Sequence, residues 1–294
     1  MMLGQHPAPE AVIVHLSDTH LTAGQSPLHG AIDADARLAE AVRRLPASGI
    51  PVTAIVVTGD VADTGDEGAY TRARAMLEPV AAEIGARLVW VMGNHDDRAA
   101  FRTGLRGEDG TTDPVDEVID LDGLRLVVLD STVPGHHHGE VSEDQLAWLS
   151  GVLAEPAPRG TVLAMHHPPL PVPLGFAALT ELRDQDPLAE TLRGTDVRAI
   201  LAGHLHYATH STFAGIPVTA APATCYTQDL VGGGAMRGLD GGQGFDLVHV
   251  YADRVLHSTV PSGELPAVYE VTAEQLRAFM ALSPEEQRRL AESR

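Results

Sequence analysis

The sequence contains no lysine, and all 20 of its strongly basic side chains are arginine. Set against 40 aspartates and glutamates, they leave a formal net charge of −20. So large a deficit of positive charge argues against nucleic acid or an anionic membrane surface as the main partner. Together with abundant alanine, the missing lysine has the look of coding bias in a GC-rich bacterial genome, not of a functional choice. Cysteine is limited to Cys225. No disulfide framework can form, and the composition fits a reducing cytoplasm. No apolar run approaches the ~18 residues that span a bilayer. No basic n-region precedes an apolar stretch at the start, so neither a signal peptide nor an integral membrane segment is expected.

What is present is a core and many histidines. Hydrophobic residues make up 44% of the 294-residue chain, enough for one large α/β domain. Short apolar runs of strand length at residues 12–17, 53–58 and 87–92 alternate with helical patterns at 34–45 and 68–84, the latter expected to kink or divide at Pro79. Runs at 118–121 and 125–129 flank Asp122-Gly123, a hairpin signal. Residues 144–153 read as helix, 161–165 as strand, 179–192 as helix and 198–202 as strand. From there to residue 260 the pattern is mostly β, interrupted at 232–244 by a glycine-rich stretch expected to be a mobile loop. Capping signals at Thr272 with Gln275, and at Ser283 with Glu286, start two helices in the tail. The expected organisation is one α/β/β/α catalytic domain over residues 1–262 and a short helical appendage over 263–294.

Polar clusters follow the apolar runs: Asp18-x-His20, Gly59-Asp60, Gly93-Asn94-His95-Asp96, His166-His167 and Gly203-His204-x-His206. Ligands gather at the C-terminal ends of strands in open α/β sheets. Aspartate and histidine there supply oxygen and nitrogen donors suited to Mn²⁺, Fe or Zn²⁺. Bound cations would also reverse the sign of the local field in so acidic a chain.

These five motifs, in this order on strand ends, resemble the calcineurin-like metallophosphoesterases over residues 12–260. The resemblance implies a four-layer α/β/β/α sandwich of two mixed sheets flanked by helices, with two metal ions per chain. By the same resemblance Asp18, His20 and His206 would bind one metal, Asp60 would bridge, and Asn94, His166 and His204 would bind the other. His95 would stand beside the pair without ligating. The runs at 13–21, 90–97, 133–139 and 223–229 are further similar to the actinobacterial class III cyclic-nucleotide phosphodiesterases. That similarity reaches Pro261; the tail after Ser262 is outside it. It implies hydrolysis of 3′,5′-cyclic AMP to 5′-AMP, with 2′,3′-cyclic nucleotides also accepted, by in-line attack of a metal-bridging hydroxide. His95 is the expected general acid, and a homodimer is implied by resemblance alone.

The remaining singled-out residues have narrower readings. His136, His137 and His138 are expected on a loop over the active site or at a subunit contact, touching substrate, with His136 and His138 as the substrate-binding side chains. Asp63 is weighed as a carboxylate that orients a ligand histidine, and Asp96 as a turn-stabilising group. His167 is expected beside a ligand, and His15 and His249 inside strands as satisfied core residues. Cys225 has no implied activating base. The rival functions are a phosphomonoesterase or nucleotide pyrophosphatase with the same ligands, and, from another class, a non-catalytic scaffold for protein binding.

Overall fold

A computed structural model describes residues 6–263 and 265–292. The chain separates into two compact units, Met1–Ser262 and Gly263–Arg294. The first holds thirteen named strands among the described residues: β1 Ala11–Leu16, β2 Ala54–Thr58, β3 Arg87–Val91, β4 Glu117–Leu121, β5 Leu124–Val128, β6 Thr161–Ala164, β7 Val197–Ala202, β8 Thr209–Phe213, β9 Ile216–Ala220, β10 Thr227–Gln228, β11 Gly238–Leu239, β12 Gly244–Val250 and β13 Val255–Pro261. One sheet has the order β13-β12-β1-β2-β3 and another β4-β5-β6-β7-β9-β8. Both are mixed: β1, β2 and β3 run parallel while β12 and β13 are antiparallel, and β5, β6, β7 and β9 run parallel between antiparallel β4 and β8.

Strand alternation sorts the side chains into layers. Ile13, Val56 and Val89 meet Leu126, Val162 and Leu201 between the sheets. On the opposite face of the first sheet, Val14, Ile55 and Trp90 pack on α1 (Ala34–Val42) and α2 (Glu67–Ile84) through Leu38 and Leu77. The outer face of the second sheet sets Val127, Leu163 and Ile200 against helices at Glu143–Val152 and Gln185–Leu192. Each fully buried aliphatic side chain of this kind contributes ~1.5–3 kcal/mol. The result is the expected four-layer α/β/β/α sandwich.

Three local expectations are corrected. Helix α2 runs unbroken through Pro79. Proline frees the carbonyl of Ala75, and both residues lie on the exposed side, where water can take that bond. The helix expected over 179–192 is instead a short 3-10 turn, Ala177–Thr180, and a helix from Gln185. Between them Leu182 bridges to Gly139 and Asp184 turns left-handed with φ 48°, so tertiary pairing overrides the helical pattern. Within the glycine-rich stretch, Gly238–Leu239 pairs with Thr227–Gln228 as an antiparallel hairpin. Asp122 and Gly123 do form the tight turn between β4 and β5, both with positive φ.

The second unit carries helices at Ala273–Met280 and Pro284–Glu292. Thr272 and Gln275 make a reciprocal capping box, and Ser283 pairs with Glu286 in the same manner. Among the described residues, no helix is long and apolar enough to cross a membrane.

A polar seam interrupts the inter-sheet core. His15 bonds Thr58 Oγ1 through Nε2 at 2.9 Å, while its Nδ1, both ring nitrogens of His257 and Asp246 Oδ2 have no hydrogen-bond partner among the described residues. Burial, then the nearby His257, pushes the His15 pKa down to about 3; burial, then His210, pushes that of His257 down to about 4. Both imidazoles are thus neutral when folded but take up protons near 6.5 once unfolded. Unfolding binds protons in this window, so stability present above about pH 6.5 is lost as the pH falls towards 4 and 3. His257→Leu should flatten the pH dependence of unfolding free energy between pH 6 and 4.5 by about 1 kcal/mol per pH unit. Denaturant melts of both proteins at matched pH measure it; parallel curves would refute the neutral seam.

Candidate metal centre

The motif residues follow the C-terminal ends of β1, β2, β3, β6 and β7, which brings both sheets to one mouth. His20 Nε2 and His206 Nε2 face each other at 3.1 Å. Asp60 Oδ2 stands 3.3 Å from His20 Nε2 and 3.4 Å from His166 Nε2, so one carboxylate reaches both halves of the cluster. Asp18 Oδ1 lies 3.5 Å from His206 Nε2. On the other side His166 Nε2 meets Asn94 Oδ1 at 3.1 Å and His204 Nδ1 at 3.2 Å. All seven side chains expected as ligands are therefore brought together, with their donor atoms pointing inwards.

The outward atoms of these side chains are held by protein. His20 Nδ1 is 3.1 Å from Asp63 Oδ1, His166 Nδ1 donates to Thr58 O at 2.7 Å, and His206 Nδ1 faces Tyr226 O at 3.3 Å. His204 Nε2 meets Thr180 Oγ1 at 3.0 Å. Such partners fix each ring's tautomer and aim. Asp96 accepts from the backbone nitrogens of Gly93, Val61 and Ala62 and from the Tyr70 hydroxyl, which is turn architecture. A side chain at Gly93 would run into the backbone nitrogen and carboxylate of Asp60, so only glycine lets the two motif loops close on each other.

The cluster fits cations on two counts. First, Asp18, His20, Asp60, His204 and His206 all have positive φ, between 45° and 72°. Left-handed backbone at a non-glycine residue costs of order 1 kcal/mol or more and persists where other contacts over-determine it. Second, Asp18 and Asp60 are buried, and among the described residues no arginine pairs with either. Burial opposes an ionised Asp60, yet His166 and His20 hold its carboxyl well below the ordinary range. Burial likewise opposes protonation of His20 and His166, but Asp60 with Asp63 raises the first to about 10, and Asp60 with Asp18 raises the second to about 9. Burial pushes the Asp18 carboxyl up against the pull of His166. His204 falls to about 3 through burial and the adjacent His166. The buried carboxylates thus draw positive charge to the centre of the cluster, which cations held by these side chains would supply.

The sequence pattern of the calcineurin-like phosphoesterase family matches residues 11–208. The chain belongs to this family. Membership implies a dinuclear metal centre, and the Asp/His cluster is where a calcineurin-like phosphoesterase of this sequence can hold it. The chain is 58% identical over 260 residues to a Mycobacterium tuberculosis protein named cAMP/cGMP dual specificity phosphodiesterase, covering 88% of this chain and 82% of that one. It is 30% identical over 222 residues to a Pseudomonas aeruginosa 3′,5′-cyclic adenosine monophosphate phosphodiesterase, covering 74% and 79%. A dimetal phosphatase from Danio rerio shares the fold with a TM-score of 0.61 at 17% identity, over 86% of this chain and 96% of that one.

Around the metal centre of this phosphoesterase lies a cavity of 170 Å³ lined by His95, His137, Phe176, Thr180, Tyr226 and Met236 among others. His95 packs edge-on against His20, ring centroids 4.8 Å apart. Its backbone nitrogen donates to Asp60 Oδ1 at 2.8 Å, and its Nδ1 donates to Asp63 O at 2.8 Å, leaving Nε2 without a partner among the described residues.

The loop expected to touch substrate places His137, and neither His136 nor His138, in the lining of this cavity. His138 is buried and spends Nε2 on Glu140 at 3.0 Å, with the His136 ring tilted against it at 5.0 Å and outside the cavity lining. It is His137 that faces the site: its ring lies 5.2 Å from that of His95, and its Nδ1 accepts from Asn94 Nδ2 at 3.0 Å. That bond turns the Asn94 carbonyl oxygen inwards. Backbone pairing of Thr132 with Gly139 sets which of the three histidines faces in, and no sequence signal separates them. His167 spends Nδ1 on Ser131 Oγ at 2.9 Å and Nε2 on His137 O at 3.1 Å, so it props the loop and is not free to ligate. Cys225 is buried 3.7 Å behind His206 Nδ1, its thiol pushed well up by burial and by Asp18, which removes it as a nucleophile.

Proposed function

We propose that this calcineurin-like phosphoesterase hydrolyses 3′,5′-cyclic nucleotides, cyclic AMP to 5′-AMP, and 2′,3′-cyclic nucleotides as well. The observation that carries the chemistry is the convergence of six inward-facing side chains around the Asp60 carboxylate, beside a histidine whose Nε2 has no partner among the described residues. The 58% identity to a protein named for cyclic-nucleotide hydrolysis supports the substrate class.

In this reading Asp18, His20 and His206 hold one metal, Asn94, His166 and His204 the other, and Asp60 both. Mn²⁺, Fe or Zn²⁺ suits such nitrogen and oxygen donors. Bound there, two cations would supply positive charge for the phosphoryl oxygens and an acidified water. Asp63 aims His20, and His137 keeps the Asn94 carbonyl turned to its metal. Asp63 O anchors His95 Nδ1–H, so a proton arriving on Nε2 can be passed to the departing ribose oxygen. Among the described residues that line the cavity none is an arginine, so bound cations would supply the positive charge that meets an anionic substrate. The protein is further expected to be a cytoplasmic homodimer without a nucleic-acid partner; sedimentation of the purified chain tests the dimer.

The direct test incubates Mn²⁺-loaded protein with 3′,5′-cyclic AMP, 2′,3′-cyclic AMP and a nitrophenyl phosphodiester, with Asn94→Ala as control. Formation of 5′-AMP, falling roughly 100-fold or more in the variant, is the expected result. Turnover of the aryl diester alone would leave the metal chemistry standing and remove the cyclic-nucleotide reading. Wild-type activity and full metal occupancy in Asn94→Ala would remove its place as a ligand.

A further inference from the structure

Beyond the metal centre, on the far side of Tyr226, lies a second cavity of 420 Å³, within the roughly 300–1,000 Å³ of small-molecule sites. It shares His29, Tyr226, Gln228 and Met236 with the cavity over the metals, so the two are continuous. Ile32 and Leu239 complete its apolar walls. Ile32 belongs to a small buried cluster with Leu28, Ala223 and Cys225, against which Tyr226 packs. The floor is therefore fixed by the core.

Tyr226 joins the two cavities. Its ring lies on the ligand His206, centroids 4.3 Å apart, and meets the edge of His29 at 5.4 Å. The hairpin strand β11 presses against it at Gly238, where a side chain would come within 2.9 Å of Tyr226 Cδ2. Charge is cancelled nearby: Arg237 is paired with Asp229 and Arg37 with Asp240. Gln228 is nearly buried and donates its Nε2 to Arg237 O at 3.1 Å, while its Oε1 accepts no bond among the described residues. A largely apolar slot, whose lining charges Arg237 and Asp240 are each held by an opposite charge and which offers one spare acceptor, suits a flat heteroaromatic ring bearing an amino group.

We propose that this cavity is the base subsite, holding the purine of the nucleotide while its phosphate lies at the metals. The proposal rests on the cyclic-nucleotide reading above. Leu239, Ile32 and Met236 grip the faces of the base, Gln228 Oε1 accepts from its exocyclic amine, and Tyr226 separates base from metal ligand. Methionine is a compliant wall, so bases of different outline fit without a change in the phosphate position.

The test uses the Mn²⁺-loaded full chain and two substrates, 3′,5′-cyclic AMP and the base-free methyl 4-nitrophenyl phosphate. Leu239→Asp should raise KM for cyclic AMP by roughly 10- to 100-fold with kcat little changed. Its kcat/KM for the base-free diester should stay within about threefold of wild type. Met236→Ala, which leaves the hairpin pairing intact, should move the same way by a smaller factor. In the wild type, 5′-AMP should inhibit base-free turnover at least about tenfold more tightly than ribose 5-phosphate. Equal inhibition by the two, or equal losses on both substrates in both variants, would overturn the base subsite. Absence of cyclic AMP turnover by the wild type, with 5′-AMP still favoured over ribose 5-phosphate, would overturn the cyclic-nucleotide reaction and leave the subsite standing.

Discussion

Asp60→Asn is expected to empty both metal positions together and to lower phosphodiester turnover by about 10³-fold or more, since one lost charge-stabilising group already costs ~10²–10³. The reasoning is geometric. Asp60 Oδ2 is 3.3 Å from His20 Nε2 and 3.4 Å from His166 Nε2, so the one oxygen serves both halves of the cluster. Asparagine keeps the shape and leaves an acceptor for the His95 backbone nitrogen, which bonds Asp60 Oδ1 at 2.8 Å. It removes the charge that offsets two cations. Metal analysis after dialysis, with circular dichroism to confirm folding, is the measurement. Near-full occupancy and turnover within tenfold of wild type would refute the shared ligand.

The second large effect separates chemistry from binding. His95→Ala should keep both metals and lose about 10²–10⁴ in kcat for cyclic AMP, the usual worth of a positioned acid. A nitrophenolate leaves without needing a proton, so the loss with a nitrophenyl diester should be much smaller. The neighbourhood of His95 makes the metal count decisive: donor atoms of His20, Asp60 and His95 lie within 4.8 Å of one another, close enough for a third nitrogen ligand. The bond from Nδ1 to Asp63 O argues for a proton carrier. Loss of a metal in His95→Ala, or equal loss on both substrates, would make it a ligand or a structural group.

The seven clustered side chains were legible through a family resemblance carried by five motifs, each placed directly after an apolar run, where parallel strands deliver their ends to one mouth. Strand identity followed from period and length, as in residues 54–58 and 87–91. What escaped depends on backbone paths that composition does not encode. Three consecutive histidines at 136–138 give no hint that the middle one bonds Asn94; the pairing of Thr132 with Gly139 sets that. Pro79 suggested a break, but exposure of the freed carbonyl let the helix continue. His15 read as a satisfied strand residue, yet its buried Nδ1 has no hydrogen-bond partner among the described residues, because cross-sheet packing, invisible in one strand, surrounds it. Gly238 was a loop residue in the sequence and is a packing surface for Tyr226 in the fold.

The central claim is that Asp18, His20, Asp60, Asn94, His166, His204 and His206 together hold two metals. Anomalous diffraction at the manganese edge from Mn²⁺-loaded crystals tests it most directly. Two peaks are predicted, one among Asp18, His20 and His206, the other among Asn94, His166 and His204, with Asp60 reaching both. A single peak, or manganese bound away from these seven side chains, would contradict it.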